Sequence, residues 1–393
     1  MLGPVTPTVY EGFGRATWRD PWPVYAELRR SDPVHRSPRG FWVLSRFTDV
    51  FEAARDTATF SSAQGLTFTN ELEALGLAPT IVMMDPPDHT RYRRLVTKGF
   101  TPRQVATLGP DLRRYVAGRV HELVTAGSGD FIDGLARPVP SWVVAHYLGV
   151  PDGDRDRFEG WTTALVQASW IGYSSAGAAL GELYGYFTEL IGRRRSEPGD
   201  DLVSTLLAAD DEGRGVGLEG ILGYAFVMVA GGNDTVTGLL GAAMELLTAH
   251  PEQRQRLIDD PSLIPGAVEE LLRLSSPVQG LCRVATRDVT IRGVEIAAGE
   301  RVLLCYGAAN RDADEFGDDA EELDVGRSIE RLLTFSSGPH FCLGAAAARL
   351  EGRIVLSELL ARAPTLRVDA AAGTFADGAF TRRYESLPFS CSE

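Results

Sequence analysis

Between residues 30 and 50 the apolar positions alternate with polar ones in two short runs, Pro33 to Ser37 and Phe41 to Ser45. Alternation with period two marks a strand with one buried face. The intervening Ser-Pro-Arg-Gly carries turn formers, so the two runs predict a hairpin. From Asp85 to about Ala209 the spacing becomes helical. A much longer helical stretch follows from Leu218 to His250, carrying Leu222, Phe226, Val229, Leu239 and Leu246 and stopped by Pro251. It is long enough to cross a whole domain. A helix is predicted over Pro265 to Leu274. Period two then returns around Val289 to Ile296, with a turn at Arg292-Gly293, and at Arg301 to Leu304. The final strong helix runs from Leu343 to Arg362. The expected fold class is mainly α with small β-sheets, and residues 1–393 are expected to form a single domain, since no repeat, biased tract or linker divides them.

Composition narrows the function. The chain has 39 basic against 53 acidic residues, a net charge of −14, the wrong sign for a partner of nucleic acid. The acidity is spread out, as on a solvated surface. No run approaches the roughly 20 apolar residues of a membrane helix. Met1 to Gly14 is Pro/Gly-rich and lacks a signal pattern. The expectation is a cytoplasmic protein without a membrane partner. The cysteines Cys282, Cys305, Cys342 and Cys391 show no paired spacing, so any functional cysteine acts alone.

The most informative segment is Phe335-Ser336-Ser337-Gly338-Pro339-His340-Phe341-Cys342-Leu343-Gly344, which runs into the last helix. A cysteine at a helix N-terminus meets free N–H groups and the positive end of the dipole, both of which favour the thiolate. Gly338 and Gly344 would let the backbone approach the sulfur, and Phe335 would shield it from water. A zinc site is disfavoured, because His340 and Cys342 have no second ligand pair at metal spacing. A structural thiol, or a nucleophile served by one of the six histidines, stays open at this point.

The segment resembles the haem loop of the cytochrome P450 family, F-G-x-G-x-H-x-C-x-G, followed by a helix with A-R-x-E. Phe335, Gly338, His340, Cys342, Gly344, Ala348, Arg349 and Glu351 match, while Ser336 replaces the first glycine and Ala347 a common leucine. Other family segments occur in order. Glu270-Leu271-Leu272-Arg273 is similar to E-x-x-R, with Arg327 completing a buried triad. Gly231-Gly232-Asn233-Asp234-Thr235 resembles the oxygen-binding segment [A/G]-G-x-[D/E]-T, with Val236 in place of a frequent second threonine. Two glycines inside a helix cost about 1 kcal/mol each, so something is expected to pass close to that backbone. Asp85-Pro86-Pro87-Asp88-His89-Thr90-Arg91-Tyr92-Arg93 resembles D-P-P-x-H-x-x-x-R. Segments 60–66, 143–151 and 231–238 look closest to an actinobacterial subfamily of soluble members.

The resemblance implies haem b, with the iron on Cys342 and the propionates on His89, Arg93, Arg283 and His340. It implies Thr235 as hydrogen-bond donor and Asp234 as proton relay on the distal side of the haem. By the same analogy a pocket for a hydrophobic small molecule is lined by segment 65–84, the region 161–173, Phe226, Val229 and Ala230, and 278–281 beginning at Val278. The implied activity is monooxygenation, with electrons from NAD(P)H through a ferredoxin reductase and a ferredoxin that docks near Arg93, Arg94 and Lys98. The chain is expected to be a monomer. A peroxide-using peroxygenase and a non-enzymatic haem or ligand-binding protein are the competing readings, and the intact Asp234-Thr235 pair argues against both.

Overall fold

The computed structural model describes residues 10–68, 80–97, 100–171, 177–209, 217–378 and 380–391. Its axis is the helix Gly217–Ala249, whose 33 residues extend about 50 Å at 1.5 Å per residue. Seventeen of them are buried. The apolar face is so wide because three layers of core meet the helix. Val236, Leu240 and Met244 pack with Val116, Val120 and Leu123 of the helix Gly109–Ala126 and with Ile354, Val355 and Leu359 of the helix Ala345–Arg362. Ile221, Ala225 and Val229 pack with Phe158, Phe187 and Leu190. Leu239, Ala243 and Leu247 pack with Val268 and Leu271 of the helix Ile264–Ser275 and with Leu356 and Phe335. The last cluster seats the cysteine loop directly on the long helix.

The hairpin predicted from alternation forms as Val34–Arg36 against Trp42–Leu44, with Val34 opposite Leu44. It belongs to a five-stranded sheet. Trp42–Leu44 runs parallel to Arg301–Leu304, which pairs antiparallel with Leu281–Ala285, and Phe60–Ser61 forms the far edge. Val289–Ile291 and Val294–Ile296 form the second hairpin. Its turn places Arg292 at φ 49° and Gly293 at φ 80°. Left-handed conformations at both central residues match the twist of the flanking strands.

The helical texture expected from Asp85 to Ala209 is broken once by a strand. Ser128–Asp130 pairs with Pro388–Cys391, which also pairs with Leu366–Val368. Ser-Gly-Asp has no alternation to read, and this strand exists because of a distant partner. Asp130 fixes the turn out of it, accepting from the backbone N–H of Ile132 at 2.7 Å and Leu387 at 3.2 Å.

The E-x-x-R pair lies at full burial. Arg273 donates to Glu270 from Nε at 2.7 Å and from Nη2 at 2.8 Å, and Arg327 donates to the same carboxylate from Nε at 3.2 Å. Arg273 also donates to the carbonyls of Asn310 at 2.9 Å and Ala320 at 2.6 Å. Asn310 in turn accepts from Leu333 N–H at 2.9 Å and donates to Thr334 Oγ1 at 2.9 Å, immediately before Phe335. The triad thus braces the chain entering the cysteine loop. Among the described residues no helix is long and apolar enough to cross a membrane.

Candidate functional site

Cys342 lies three residues before the helix Ala345–Arg362, in a loop closed by its own backbone. Cys342 N–H donates to Phe335 O at 2.9 Å, and Phe341 N–H to Gly338 O at 3.0 Å. Gly338 is required twice over. Its φ is 70°, and a Cβ there would sit 2.9 Å from Arg55 Cα. Ser336, which stands where the family pattern has glycine, keeps the left-handed conformation with φ 59°. A left-handed residue with a Cβ costs about 1–2 kcal/mol. Its hydroxyl accepts from Tyr306 OH at 3.0 Å, which holds it there.

The sulfur has clearance on the helix side. A Cβ at Gly344 would lie 4.0 Å from Cys342 Sγ with no other atom as near. Phe335 is buried, and the Arg349 guanidinium lies 4.6 Å over its ring, itself forked onto Glu269 at 2.6 and 2.8 Å. Cys342 is exposed. Surrounding protein still pushes its thiol pKa up, while the N–H groups of Gly344 and Ala345 and the cations Arg93 and Arg349 pull it down. Phe341 beside it is an exposed large apolar side chain, 39% accessible. Among the described residues no group of three or more His, Cys, Asp or Glu is placed to hold a bare metal ion.

Donors for two carboxylates converge at this loop from three segments of the chain. His89 and His340 stack with ring centroids 4.2 Å apart, and His340 Nε2 is 3.2 Å from Ser62 Oγ. Arg93, one turn after His89 on the helix Asp88–Thr97, donates to Phe341 O at 2.5 Å. Arg283 is buried on the strand Leu281–Ala285 and donates to Cys282 O at 2.8 Å. Burial, then Arg283, His89 and Arg93, push His340 down to about 3. His89 is lowered by burial and by Arg93, against a smaller opposing pull from Asp85, and its buried Nδ1 has no partner. Crowded cations and an orphaned ring nitrogen are the donor set that anionic propionates satisfy, so these residues fit haem.

Near its middle the long helix opens around Gly231. Gly231 is exposed, and Ala230, Gly232 and Thr235 are partly so, with buried positions on either side. A Cβ on Gly231 would meet nothing within 4 Å, whereas one on Gly232 would lie 2.7 Å from Val144 Cγ2 of the helix Pro138–Tyr147. The sequence argument that both glycines admit something to the backbone is therefore corrected. Gly231 leaves open space, and Gly232 lets a neighbouring helix approach.

Thr235 Oγ1 donates to Gly231 O at 2.8 Å, and among the hydrogen bonds of the described residues none joins it to Asp234. Asp234 points elsewhere. Its Oδ1 lies 2.5 Å from Arg383 Nε. Burial pushes the Asp234 carboxyl up to about 6, against the downward pull of Arg383 and, more weakly, Arg137. Sequence reasoning missed Arg383. It belongs to no motif, and 149 positions separate it from the acid it meets (383 − 234).

Among the expected pocket residues, Val278 and Ala230 are partly exposed. Val229 is fully buried and Phe226 nearly so, Val229 among the aromatic residues of the second core layer, so both are packing positions here. Residues 69–79 and 172–173 of the expected pocket, and Lys98 of the expected docking face, lie outside the described residues.

Residues 258–363 match the family model described as Cytochrome P450. The chain is 53% identical over 391 residues to "Cytochrome P450 130" of Mycobacterium tuberculosis, covering 95% of each. It is 40% identical over 361 residues to "Vitamin D(3) 25-hydroxylase" of Pseudonocardia autotrophica, covering 90% of this chain and 89% of the other. The solved structure of Cytochrome P450 CYP109Q5 from Chondromyces apiculatus superposes with a TM-score of 0.87 at 34% identity, covering 96% of each chain.

Proposed function

The chain belongs to the cytochrome P450 family of haem-binding monooxygenases, and on that premise we propose that Cys342 is its iron ligand and that Asp234 and Thr235 serve proton delivery to a hydrophobic organic substrate's oxidation. Residues 1–393 act as one haem domain and as a monomer. Haem b, when bound, supplies the redox iron at which O2 is reduced with two electrons. The convergence of His89, Arg93, Arg283 and His340 beside an accessible Cys342 carries this reading.

In it, His89, Arg93, Arg283 and His340 would hold the two propionates of the bound haem. Gly338 and Gly344 keep the loop close while leaving room at Sγ, and Phe335 with Arg349 screens it. The N–H groups of Gly344 and Ala345 would favour the thiolate against the upward push of burial. Gly231 gives open space along the long helix, with the Thr235 hydroxyl one turn away and available to donate once it releases Gly231 O. Asp234, with a carboxyl pushed up to about 6, exchanges protons close to neutrality, as a relay must.

The reduced, CO-bound protein should show the strongly red-shifted Soret band of thiolate ligation. A band of the histidine-ligated type would overturn the assignment of Cys342.

The substrate is an apolar small molecule, in keeping with the partly exposed Ala230 and Val278 and with a relative named for hydroxylating vitamin D3. Electrons come from NAD(P)H in the cytoplasm through a ferredoxin reductase and a ferredoxin. Arg91 and Arg94 are exposed on the helix whose Arg93 touches the cysteine loop, a face suited to an acidic partner. Arg94→Glu should slow reduction by ferredoxin and weaken its dependence on salt, measured by stopped-flow absorbance. Unchanged rates at every ionic strength would move the docking face elsewhere.

A further inference from the structure

Asp234 faces the C-terminal segment 380–384, and that segment is held in place independently of the ion pair. Gln279 N–H donates to Phe380 O at 2.8 Å, Arg382 N–H donates to Pro277 O at 2.8 Å, and Val278 and Thr381 form an antiparallel bridge. Arg382 Nε reaches Trp18 O at 2.6 Å, and its Nη2 lies 3.5 Å from Glu245, about three turns further along the long helix. The long helix is shaped to receive the segment. A Cβ on Gly238, one turn after Asp234, would sit 2.9 Å from Arg382 O, 3.2 Å from Pro277 Cβ and 3.4 Å from Arg383 Cβ. With glycine there, the segment lies flat on the helix and the Arg383 guanidinium reaches the acid.

The pair is almost sealed from water, with side-chain exposures of 3% for Arg383 and 11% for Asp234. The other charged groups facing it are few. Arg137, just before the helix Pro138–Tyr147, also bears on Asp234 but is engaged with Asp133 and with Glu385 O at 3.2 Å. Glu385 acts on Arg383 from the same segment.

We propose that Arg383 is a positioning residue of the proton relay, which keeps Asp234 an ionised, fixed carboxylate between proton transfers and owes its place to the Gly238 contact and the Pro277–Gln279 clamp. The inference rests on the relay reading of Asp234 given above. In each transfer one proton enters the carboxylate and one leaves it toward Thr235, and two such transfers match the two electrons of a turnover. Arg383 contributes by returning Asp234 to the anion each time. Without it the carboxyl would stay protonated at neutral pH and have no capacity to take up the next proton.

The test is an infrared titration of the Asp234 carboxyl band in the haem-loaded enzyme, the band being identified by its absence in Asp234→Asn. The midpoint expected for the unaltered protein is about 6. Arg383→Gln should raise it by about 1–3 pH units, the usual influence of an adjacent opposite charge. Arg383→Lys should restore most of the difference, which a merely structural role for the side chain would not require. Gly238→Ala, which retains the arginine but crowds Arg382 O, should also raise the midpoint, and it decides the matter if Arg383→Gln fails to load haem. In each variant the acid limb of the kcat profile should move with the midpoint. An Arg383→Gln midpoint still near 6, or a Gly238→Ala midpoint still there if only that variant loads haem, overturns the role of Arg383 alone. Undiminished coupled turnover in Asp234→Asn overturns the relay reading and the proposed role with it.

Discussion

Glu270→Ala should yield a protein that holds little haem and unfolds at markedly lower denaturant concentration. The carboxylate of Glu270 is the shared acceptor for Arg273 and Arg327, and both its own side chain and that of Arg273 are fully shielded from water. Removing it leaves a guanidinium in the interior without its counter-charge, a change that costs about 3–5 kcal/mol when a buried pair loses one partner. The damage reaches the haem loop by a short route, because Arg273 also holds Asn310 O and the Asn310 side chain holds Leu333 N–H and Thr334. Urea unfolding together with haem content per chain measures both consequences. Normal haem loading and an unshifted urea midpoint would show that the triad does not brace the loop.

Asp234→Asn should lower the rate of substrate oxidation by about 10²–10⁴, the usual worth of a positioned proton-transfer group. Asparagine preserves the volume and one hydrogen-bond acceptor, so the fold should persist at some cost in stability from the buried Arg383 that loses its counter-charge, but an amide cannot take up and release a proton near pH 7. Electrons then drain without product, and the ratio of product formed to NAD(P)H consumed should fall with the rate. The pH dependence carries a definite sign. A carboxyl at about 6 is ionised above that pH and protonated below it, so the unaltered enzyme should lose turnover as pH falls through 6. That limb should be absent in the variant. A variant with the same coupling ratio and the same acid limb would remove Asp234 from the relay.

The sequence was legible wherever local pattern and local chemistry agreed. The long helix, the first hairpin and the Arg292-Gly293 turn follow from apolar spacing and turn residues within a few positions. The Cys342 loop, the residues expected to meet the propionates and the E-x-x-R triad carry short motifs, and the fold places the members of each set near one another. Features that depend on distant partners were not legible. Ser128–Asp130 becomes a strand only because Pro388–Cys391 lies against it, and Arg383 meets Asp234 only because the segment carrying it is clamped to Pro277 and Gln279. Val229 reads equally well as a cavity wall or as core in a helical pattern, and it is core.

The different surroundings of Gly231 and Gly232 also explain how the family's motif is spelled. In [A/G]-G-x-[D/E]-T the first position admits a methyl group and the second does not. Here a methyl at 231 would project into vacant space, whereas one at 232 would strike Val144 on the neighbouring helix. In this chain the first glycine position thus has room for added volume, and the second records how tightly two helices are drawn together. A pattern usually read as oxygen chemistry is, at one of its positions, a ruler for the distance between two parts of the scaffold.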